Sequence, residues 1–177
     1  MDLKLDFYIP DIPEPANATN RLPLMVMIHG GGFYNGSKTN GNILNNAPKY
    51  AQRGWLVAAI SYRLVRNNAV PYSRMQTLYD AIGGASAPPQ LRAAIASVDD
   101  TLIALFFLHA RSDVDDAWAT LWGSSAGAIT SVITGYCLDD HGRVLLWRWL
   151  LSKRVACLGV ISAIPSMTQW TLIRRSW

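Results

Sequence analysis

The sequence holds few of the residues that bind metals or build disulfide frameworks. Its 177 residues include two cysteines and three histidines. Cys137 and Cys157 are too few for a disulfide scaffold and fit no metal-ligand spacing, so we expect no metal and no cofactor. Charged residues make up only 16% and apolar residues 50% of the chain. This balance argues against a disordered chain and is enough for one packed domain.

Targeting and membrane-spanning patterns are also missing. The N-terminus has neither the basic region nor the apolar run of a secretory signal. The cytoplasm is therefore the default location, and the compartment itself is undetermined. The longest uncharged run, residues 155–173, is interrupted by Pro165 and Gln169. We predict that it does not span a membrane.

The net positive charge of the chain comes from its last 35 residues. Residues 1–142 hold ten Lys and Arg against twelve Asp and Glu, whereas residues 143–177 hold six Lys and Arg, no acid and four of the seven tryptophans. We therefore divide the chain into a core, 1–142, and an atypical basic tail, 143–177, which could add one more core strand. Such a tail could bind a membrane surface or nucleic acid. We favour a different origin for it, such as a truncated or frame-shifted gene, and expect no nucleic-acid partner.

Apolar runs alternate with helical patterns along the chain. The runs predict strands over residues 3–9, 22–28, 55–61, 118–122 and 155–163, and the helical patterns cover residues 47–53, 90–110 and 126–138. Residues 35–46 and 62–89 are expected to be a loop and an irregular segment, with Asp113, Asp115 and Asp116 forming a turn. In the long helix, apolar positions recur every three or four residues and form a stripe that includes His109. Asp99 and Asp100 do not belong to this stripe. Alternation of this kind predicts a mostly parallel α/β sheet flanked by helices.

A Gly-Ser-Ser-Ala-Gly pentapeptide follows the fourth apolar run. It begins at Gly123, ends at Gly127 and stands between a predicted strand and a predicted helix. A turn this tight leaves no room for side chains two positions either side of the middle serine, Ser125, whose hydroxyl it exposes. The helix that follows directs its partial positive charge at the same point. We interpret Ser125 as a nucleophile, the alternative being a structural turn.

A second glycine-rich segment follows the second strand. His29 is followed by Gly30, Gly31 and Gly32, and three glycines allow the backbone to turn with unpaired N–H groups that can stabilise an oxyanion. The alternatives are a flexible turn or a phosphate-binding loop, although neither glycine-rich phosphate motif is present. His29 itself is interpreted as a structural residue that orients the loop.

These segments together resemble the α/β-hydrolase superfamily, and within it the carboxylesterase and lipase branch. The resemblance rests on residues 29–33 (HGGGF), 61–64 (SYRL) and 121–128 (LWGSSAGA) and covers roughly residues 3–142. It implies an α/β-hydrolase fold, incomplete at its C-terminal side, and a small-molecule ester substrate. It also implies that Ser125 is the nucleophile and that the N–H groups of Gly31, Gly32 and Ala126 form the oxyanion hole. The segment 61–64 is taken as structural.

A serine nucleophile needs a histidine base and an acid to orient it. In the family both follow the nucleophile, but here only Asp139, Asp140 and His141 do so. A helix from 126 to 138 would place its far end about 20 Å from Ser125, so we expect no role for His141 as the base. His109 is expected to pack in the core.

Two functions therefore remain open at this point. The first is a serine carboxylic-ester hydrolase that uses Ser125. The second is a catalytically incomplete hydrolase-fold fragment or a non-enzymatic binding protein. A peptidase or acyltransferase is a weaker reading, since a fold does not settle the reaction. Neither the ester nor the oligomeric state can be predicted.

Overall fold

A five-stranded sheet forms the centre of the computed structural model, which describes residues 3–11, 19–139 and 154–160. The strands are β1 (Lys4–Tyr8), β2 (Leu22–Ile28), β3 (Leu56–Ser61), β4 (Val114–Ser124) and β5 (Arg154–Val160), and the helices are α1 (Gly41–Ala51), α2 (Gln76–Ala81), α3 (Pro89–His109) and α4 (Ala126–Asp139). The strand order is β1-β3-β2-β4-β5. The pairings of β2 with β3, β2 with β4 and β4 with β5 are parallel, and β1 pairs antiparallel with β3. The predicted mostly parallel sheet is thereby confirmed.

Strand β2 is apolar throughout because helices cover both of its faces. Leu24 and Val26 point to one face, where they share a core with α3 and with Ala126 at the start of α4. Met25 and Met27 point to the other face and pack against α1. Successive strand residues alternate between faces, so a strand buried on both sides requires an unbroken apolar run.

Helix α3 is buried around most of its circumference, which the sequence did not predict. Fourteen of its 21 residues are buried, and Asp99 and Asp100 are 0% and 2% exposed. The two carboxylates can lie there because arginines pair with them, as described below. The apolar stripe of this helix therefore does not mark its only buried face.

Three other element boundaries differ from the expected ones. Helix α1 begins at Gly41 rather than at residue 47, because the side chain of Asn40 accepts a hydrogen bond from the Asn42 amide at 3.0 Å and caps the helix early. Strand β4 begins at Val114, so Asp115 and Asp116 lie within the strand, and only Asp113 of the predicted three lies in a turn. The segment expected to be irregular contains α2 and three short 3₁₀ turns, namely Val65–Asn67, Ser73–Met75 and Gly84–Ser86.

The basic tail contributes a strand to this sheet. β5 pairs with β4 from Trp118↔Arg154 to Ser124↔Val160, and its range overlaps the strand predicted over residues 155–163. The other residues of the tail lie outside the described ranges. In the described ranges, no helix combines the length and the apolar character needed to cross a membrane.

Candidate active site

The turn between β4 and α4 presents Ser125 to solvent. Ser125 has φ of 51°, a left-handed conformation that is uncommon for a residue with a side chain. Its side chain is exposed, although the residues on either side of it are buried. Its carbonyl accepts hydrogen bonds from the amides of Ala128 and Ile129 at 2.9 and 3.1 Å, so Ser125 is the residue directly before α4 whose carbonyl accepts the first bonds of that helix. The partial positive charge of the helix N-terminus therefore lies beside the Ser125 hydroxyl.

The two glycines of the pentapeptide have no space for a side chain. A Cβ atom on Gly123 would lie 2.2 Å from the carbonyl oxygen of Gly127, and one on Gly127 would lie 2.1 Å from the carbonyl oxygen of Ile28. The turn is thus closed on itself and its helix is seated directly on the end of β2. This packing fixes where Ser125 stands relative to the segment that follows β2.

That segment, residues 29–36, is called the glycine loop from here on. Gly31, Gly32 and Phe33 have φ of 121°, 62° and 67°, so three consecutive residues adopt a conformation that only glycine adopts readily. A Cβ atom on Gly30 would lie 2.8 Å from the carbonyl oxygen of Ser124 and 3.3 Å from the Cβ of Ser125. The glycine loop therefore runs against the Ser125 turn in backbone contact.

Hydrogen bonds hold the carbonyl groups of the loop. The carbonyl of Gly30 accepts a bond from His29 Nδ1 at 2.8 Å, and that of Gly31 accepts bonds from the amides of Tyr34 and Asn35 at 3.1 and 3.0 Å. The N–H and C=O of a trans peptide point in opposite directions. The amides of Gly31 and Gly32, which belong to the same two peptides, therefore point away from those bonds.

Three backbone amides near Ser125 are left without an acceptor. Within the described part of the chain, the amides of Gly31, Gly32 and Ala126 donate to no protein group. Ala126 is the first residue of α4, where helical amides have no partner within the helix. Free amides of this kind can donate hydrogen bonds to an anion or to a polarised carbonyl oxygen.

His29 is enclosed behind the loop. It is 1% exposed, and its ring stacks on that of Tyr62 with centroids 4.1 Å apart and planes 8° apart. Tyr62 donates a hydrogen bond from its hydroxyl to the His29 carbonyl at 3.0 Å. Burial lowers the pKa of the His29 ring, against a smaller opposing effect of its bond to Gly30. A neutral ring with its proton on Nδ1 fits this bond, which holds the ring against the backbone of the loop.

A buried charge cluster supports the segment after β3. Arg63 contacts Asp100 at 2.6 Å and Asp99 at 3.3 Å, and Arg74 also pairs with Asp99. Burial raises the pKa of the Asp100 carboxyl, and the hydrogen bonds from Arg63 oppose that rise. Desolvation lowers the pKa of Arg63, but its hydrogen bonds to Asp100 and the nearby charges, those of Asp100 and Asp99 among them, together outweigh this, and the net change is upward. The motif at 61–64 thus contributes structure, through Tyr62 under the loop and Arg63 in the cluster.

The remaining titratable candidates do not meet at Ser125. Gln90, near the start of α3, contacts the glycine loop, and His109 lies nineteen residues further along this helix, about 28 Å away at 1.5 Å per residue. His109 is buried, as expected. Asp139 ends α4, thirteen residues beyond Ala126, and His141 lies outside the described residues. Among the described residues, no three His, Cys, Asp or Glu side chains group as metal ligands would.

Sequence reasoning did not single out Gln90. It lies next to Pro89 at the start of α3 and its side chain donates to the carbonyl of Gly32 at 2.9 Å. The sequence signal that could have drawn attention to Gln90 is its place as a polar residue in the first turn of a predicted helix. Nothing in the sequence shows that this helix begins beside the glycine loop, because that depends on the order of the strands.

Comparisons with known proteins point to one fold. The BD-FAE family model matches residues 10–82, and a search of curated proteins found no match. Among solved structures, esterase 2 of Thermogutta terrifontis is similar over 74% of this chain, with 24% identity and a TM-score of 0.53. A bacterial heroin esterase is similar over 80% of this chain, also with 24% identity and a TM-score of 0.55.

The similarity covers only a part of those proteins. The chain spans 41% of the Thermogutta esterase and 36% of the heroin esterase. At this level of identity the likeness establishes the fold. The chain therefore has the α/β-hydrolase fold and resembles the esterase branch of that superfamily.

Proposed function

We propose that this chain carries the nucleophile and the oxyanion hole of a serine carboxylic-ester hydrolase. The observation that carries the proposal is the backbone contact between the exposed, left-handed Ser125 and a loop whose Gly31 and Gly32 amides have no acceptor. A hydroxyl next to several free N–H groups is the arrangement that acyl transfer requires. The similarity of the fold to that of esterases favours an ester as the substrate over another acyl compound.

The proposed chemistry has two steps. Ser125 Oγ attacks the carbonyl carbon of the ester, and the resulting oxyanion accepts hydrogen bonds from the amides of Gly31, Gly32 and Ala126. The C–O bond to the alcohol then breaks, the alcohol leaves with a proton, and an acyl group remains on Ser125. Water attacks the acyl carbon, releases the acid and restores the hydroxyl.

Activation of Ser125 requires a base that takes its proton. In the described ranges neither His29 nor His109 is placed for this. His29 is bonded to Gly30 and stacked on Tyr62. His109 is the last residue of α3, at the opposite end of the helix from the glycine loop. Without a base, the oxyanion hole alone still supplies part of the rate enhancement of a serine hydrolase. We therefore expect slow acylation of Ser125 and a slower second step.

Acylation of Ser125 can be tested with an activated ester. Purified protein is incubated with p-nitrophenyl acetate, and intact-mass and peptide mass spectrometry locate any acetyl group. We expect one acetyl group on Ser125 and none in Ser125→Ala. Ser124→Ala is the matched control, because Ser124 is the neighbouring serine but is buried; it should keep the adduct. Equal acetylation of the parent and Ser125→Ala would overturn the proposal.

A second candidate is a hydrolase-fold protein without catalysis. The observation that favours it is the distance of His109 and the enclosure of His29, which leave Ser125 without a described histidine. Turnover of an ester above the uncatalysed rate, lost in Ser125→Ala, would exclude this candidate. Acetylation of Ser125 without turnover of the ester would favour this second candidate.

A further inference from the structure

We propose that Gln90 is a positioning residue for the glycine loop, an inference that rests on the proposed function of Gly31 and Gly32. Gln90 lies in the first turn of α3, and its Nε2 donates a hydrogen bond to the carbonyl oxygen of Gly32 at 2.9 Å. The two residues are 58 positions apart in the sequence. The bond therefore joins the candidate oxyanion hole, which follows β2, to helix α3, which follows β3.

Few bonds connect the turning part of the loop to the rest of the protein. The carbonyl of Gly31 bonds only to Tyr34 and Asn35, which belong to the loop itself. Such bonds hold the shape of the loop but not its place. Its outward bonds are the one from the Val65 amide to the Phe33 carbonyl, at 2.9 Å, and the one from Gln90. Gln90 thus supplies one of the two hydrogen bonds that join residues 31–35 to the rest of the described chain, beside the packing of the buried Phe33 ring near Tyr62.

The strained backbone of Phe33 makes the bond from Gln90 to the Gly32 carbonyl important for the conformation of the loop. Phe33 holds φ at 67°, which costs on the order of 1–3 kcal/mol for a residue with a side chain. Rotation of the peptide between Gly32 and Phe33 would relieve that strain, and glycine at position 32 offers little steric resistance to it. The bond from Gln90 to the Gly32 carbonyl opposes this rotation directly.

The consequence for the site is a matter of geometry. Oxyanion donors work only when they are held in place before the charge develops. Rotation of the Gly32–Phe33 peptide changes ψ of Gly32 and φ of Phe33. Unless these two changes cancel, Tyr34 and Asn35 shift, and their bonds to the Gly31 carbonyl weaken. The amides of Gly31 and Gly32 then lose their fixed direction relative to Ser125. A side chain that touches no substrate would in this way set the reactivity of the serine.

The test compares Gln90→Met with the parent protein. Methionine keeps the length and the unbranched stem of glutamine but has no donor. Gln76→Met is the matched control, because Gln76 is also an exposed glutamine that donates from Nε2, to Asp80 at 2.7 Å, in a different helix. Two quantities are measured: amide hydrogen exchange of Tyr34 and Asn35 by NMR, and the rate of acetylation of Ser125 by p-nitrophenyl acetate.

We expect Gln90→Met to speed exchange of the Tyr34 and Asn35 amides by about two- to tenfold, the worth of one neutral hydrogen bond. Acetylation of Ser125 should slow by a similar factor, with the melting temperature nearly unchanged. Gln76→Met should leave both quantities at the parent values. Gln90→Asn, whose side chain is one methylene shorter, should behave like Gln90→Met.

The two readouts separate the positioning role from the proposed function. A parent protein that is not acetylated at Ser125 would refute the proposed function, and amide exchange alone would then decide the role of Gln90. Unchanged exchange at Tyr34 and Asn35 in Gln90→Met would overturn the positioning role. So would faster exchange together with an unchanged acetylation rate in a parent that does react.

Discussion

The most constrained single residue near the site is His29, whose ring is enclosed on every side. Its Nδ1 bonds to Gly30, its face stacks on Tyr62, and a side chain on Gly36 would come within 2.4 Å of Nδ1. A ring in this position cannot be hydrated when it takes up a proton. The protonation state of one side chain is therefore coupled to the conformation of the loop.

This coupling predicts a loss of stability at mildly acidic pH. Because burial lowers the pKa of folded His29 below 6.5, the unfolded chain binds a proton first as the pH falls. The free energy of unfolding should then fall as the pH drops below about 6.5, by at most about 1.4 kcal/mol per pH unit, until the folded pKa is reached. His29→Asn retains an N–H donor for Gly30 but does not titrate.

Urea unfolding of the parent and of His29→Asn at about pH 7.5 and pH 5 measures this effect. We expect a smaller difference between the two pH values in the variant. The other histidines are common to both proteins and cancel in the comparison. An equal loss in both would show that the titration of His29 does not contribute.

Among the elements, α4 is placed most directly by its sequence. The first turn of α4 lies on the end of β2, with Gly127 as the point of contact. The sequence pattern predicted that Gly123 and Gly127 leave no room for side chains. For Gly123 the reason is local, because its added Cβ would meet the carbonyl of Gly127 four residues further on. For Gly127 the neighbour is Ile28 in β2, and this contact depends on the arrangement of the strands. The early start of α1 depends on one capping side chain, that of Asn40, which periodicity does not detect.

Substitution of Gly127 by alanine tests how closely α4 is seated. The added methyl group would lie 2.1 Å from the carbonyl oxygen of Ile28, so α4 or β2 must shift. We expect the free energy of unfolding to fall by about 1–3 kcal/mol. Gly41→Ala is the control, since nothing lies within 4 Å of its added Cβ, and it should leave stability unchanged or raise it by a few tenths up to about 1 kcal/mol. Equal effects in urea unfolding would contradict the close contact.

At the scale of the whole molecule, the buried charge cluster joins parts of the chain that are far apart in sequence. Arg63 follows β3, Arg74 precedes α2, and both reach Asp99 in α3. The pattern of the sequence alone suggested that Asp99 and Asp100 lay off the buried stripe. Sequence periodicity cannot show that arginines from another segment neutralise these carboxylates. That information depends on the order of strands in the sheet.

Removal of Arg63 should therefore affect the stability of the whole fold. In Arg63→Met the carboxylate of Asp100, whose side chain is 1% exposed, loses its partner, and the free energy of unfolding should fall by about 3–5 kcal/mol. Asp100→Asn in the same background should recover part of the loss. Lys38→Met removes a pair with Asp6 whose side chains are 22% and 39% exposed and should cost below about 1 kcal/mol. Similar losses in the two single variants, measured by urea unfolding, would argue against the cluster as a structural centre.

The candidate site could be predicted in part for the same reasons. Ser125 and the glycine loop were singled out by short local motifs and a resemblance to a known family, and the mostly parallel sheet by the alternation of apolar runs with helical patterns. The bonds from Gln90 and Tyr62 to the loop span 58 and 33 residues, and no local pattern contains them. The sequence thus indicates which backbone groups could take part in the chemistry, whereas the structure shows which side chains hold them.

The stacking of His29 on Tyr62 also has a spectroscopic consequence. An aromatic ring lying parallel at 4.1 Å places the His29 ring protons in the shielding cone of Tyr62. Their proton resonances should therefore appear upfield of those of an exposed histidine. The magnetic environment of this one imidazole would then report whether the backbone beside Ser125 has its native arrangement, in any variant and without substrate.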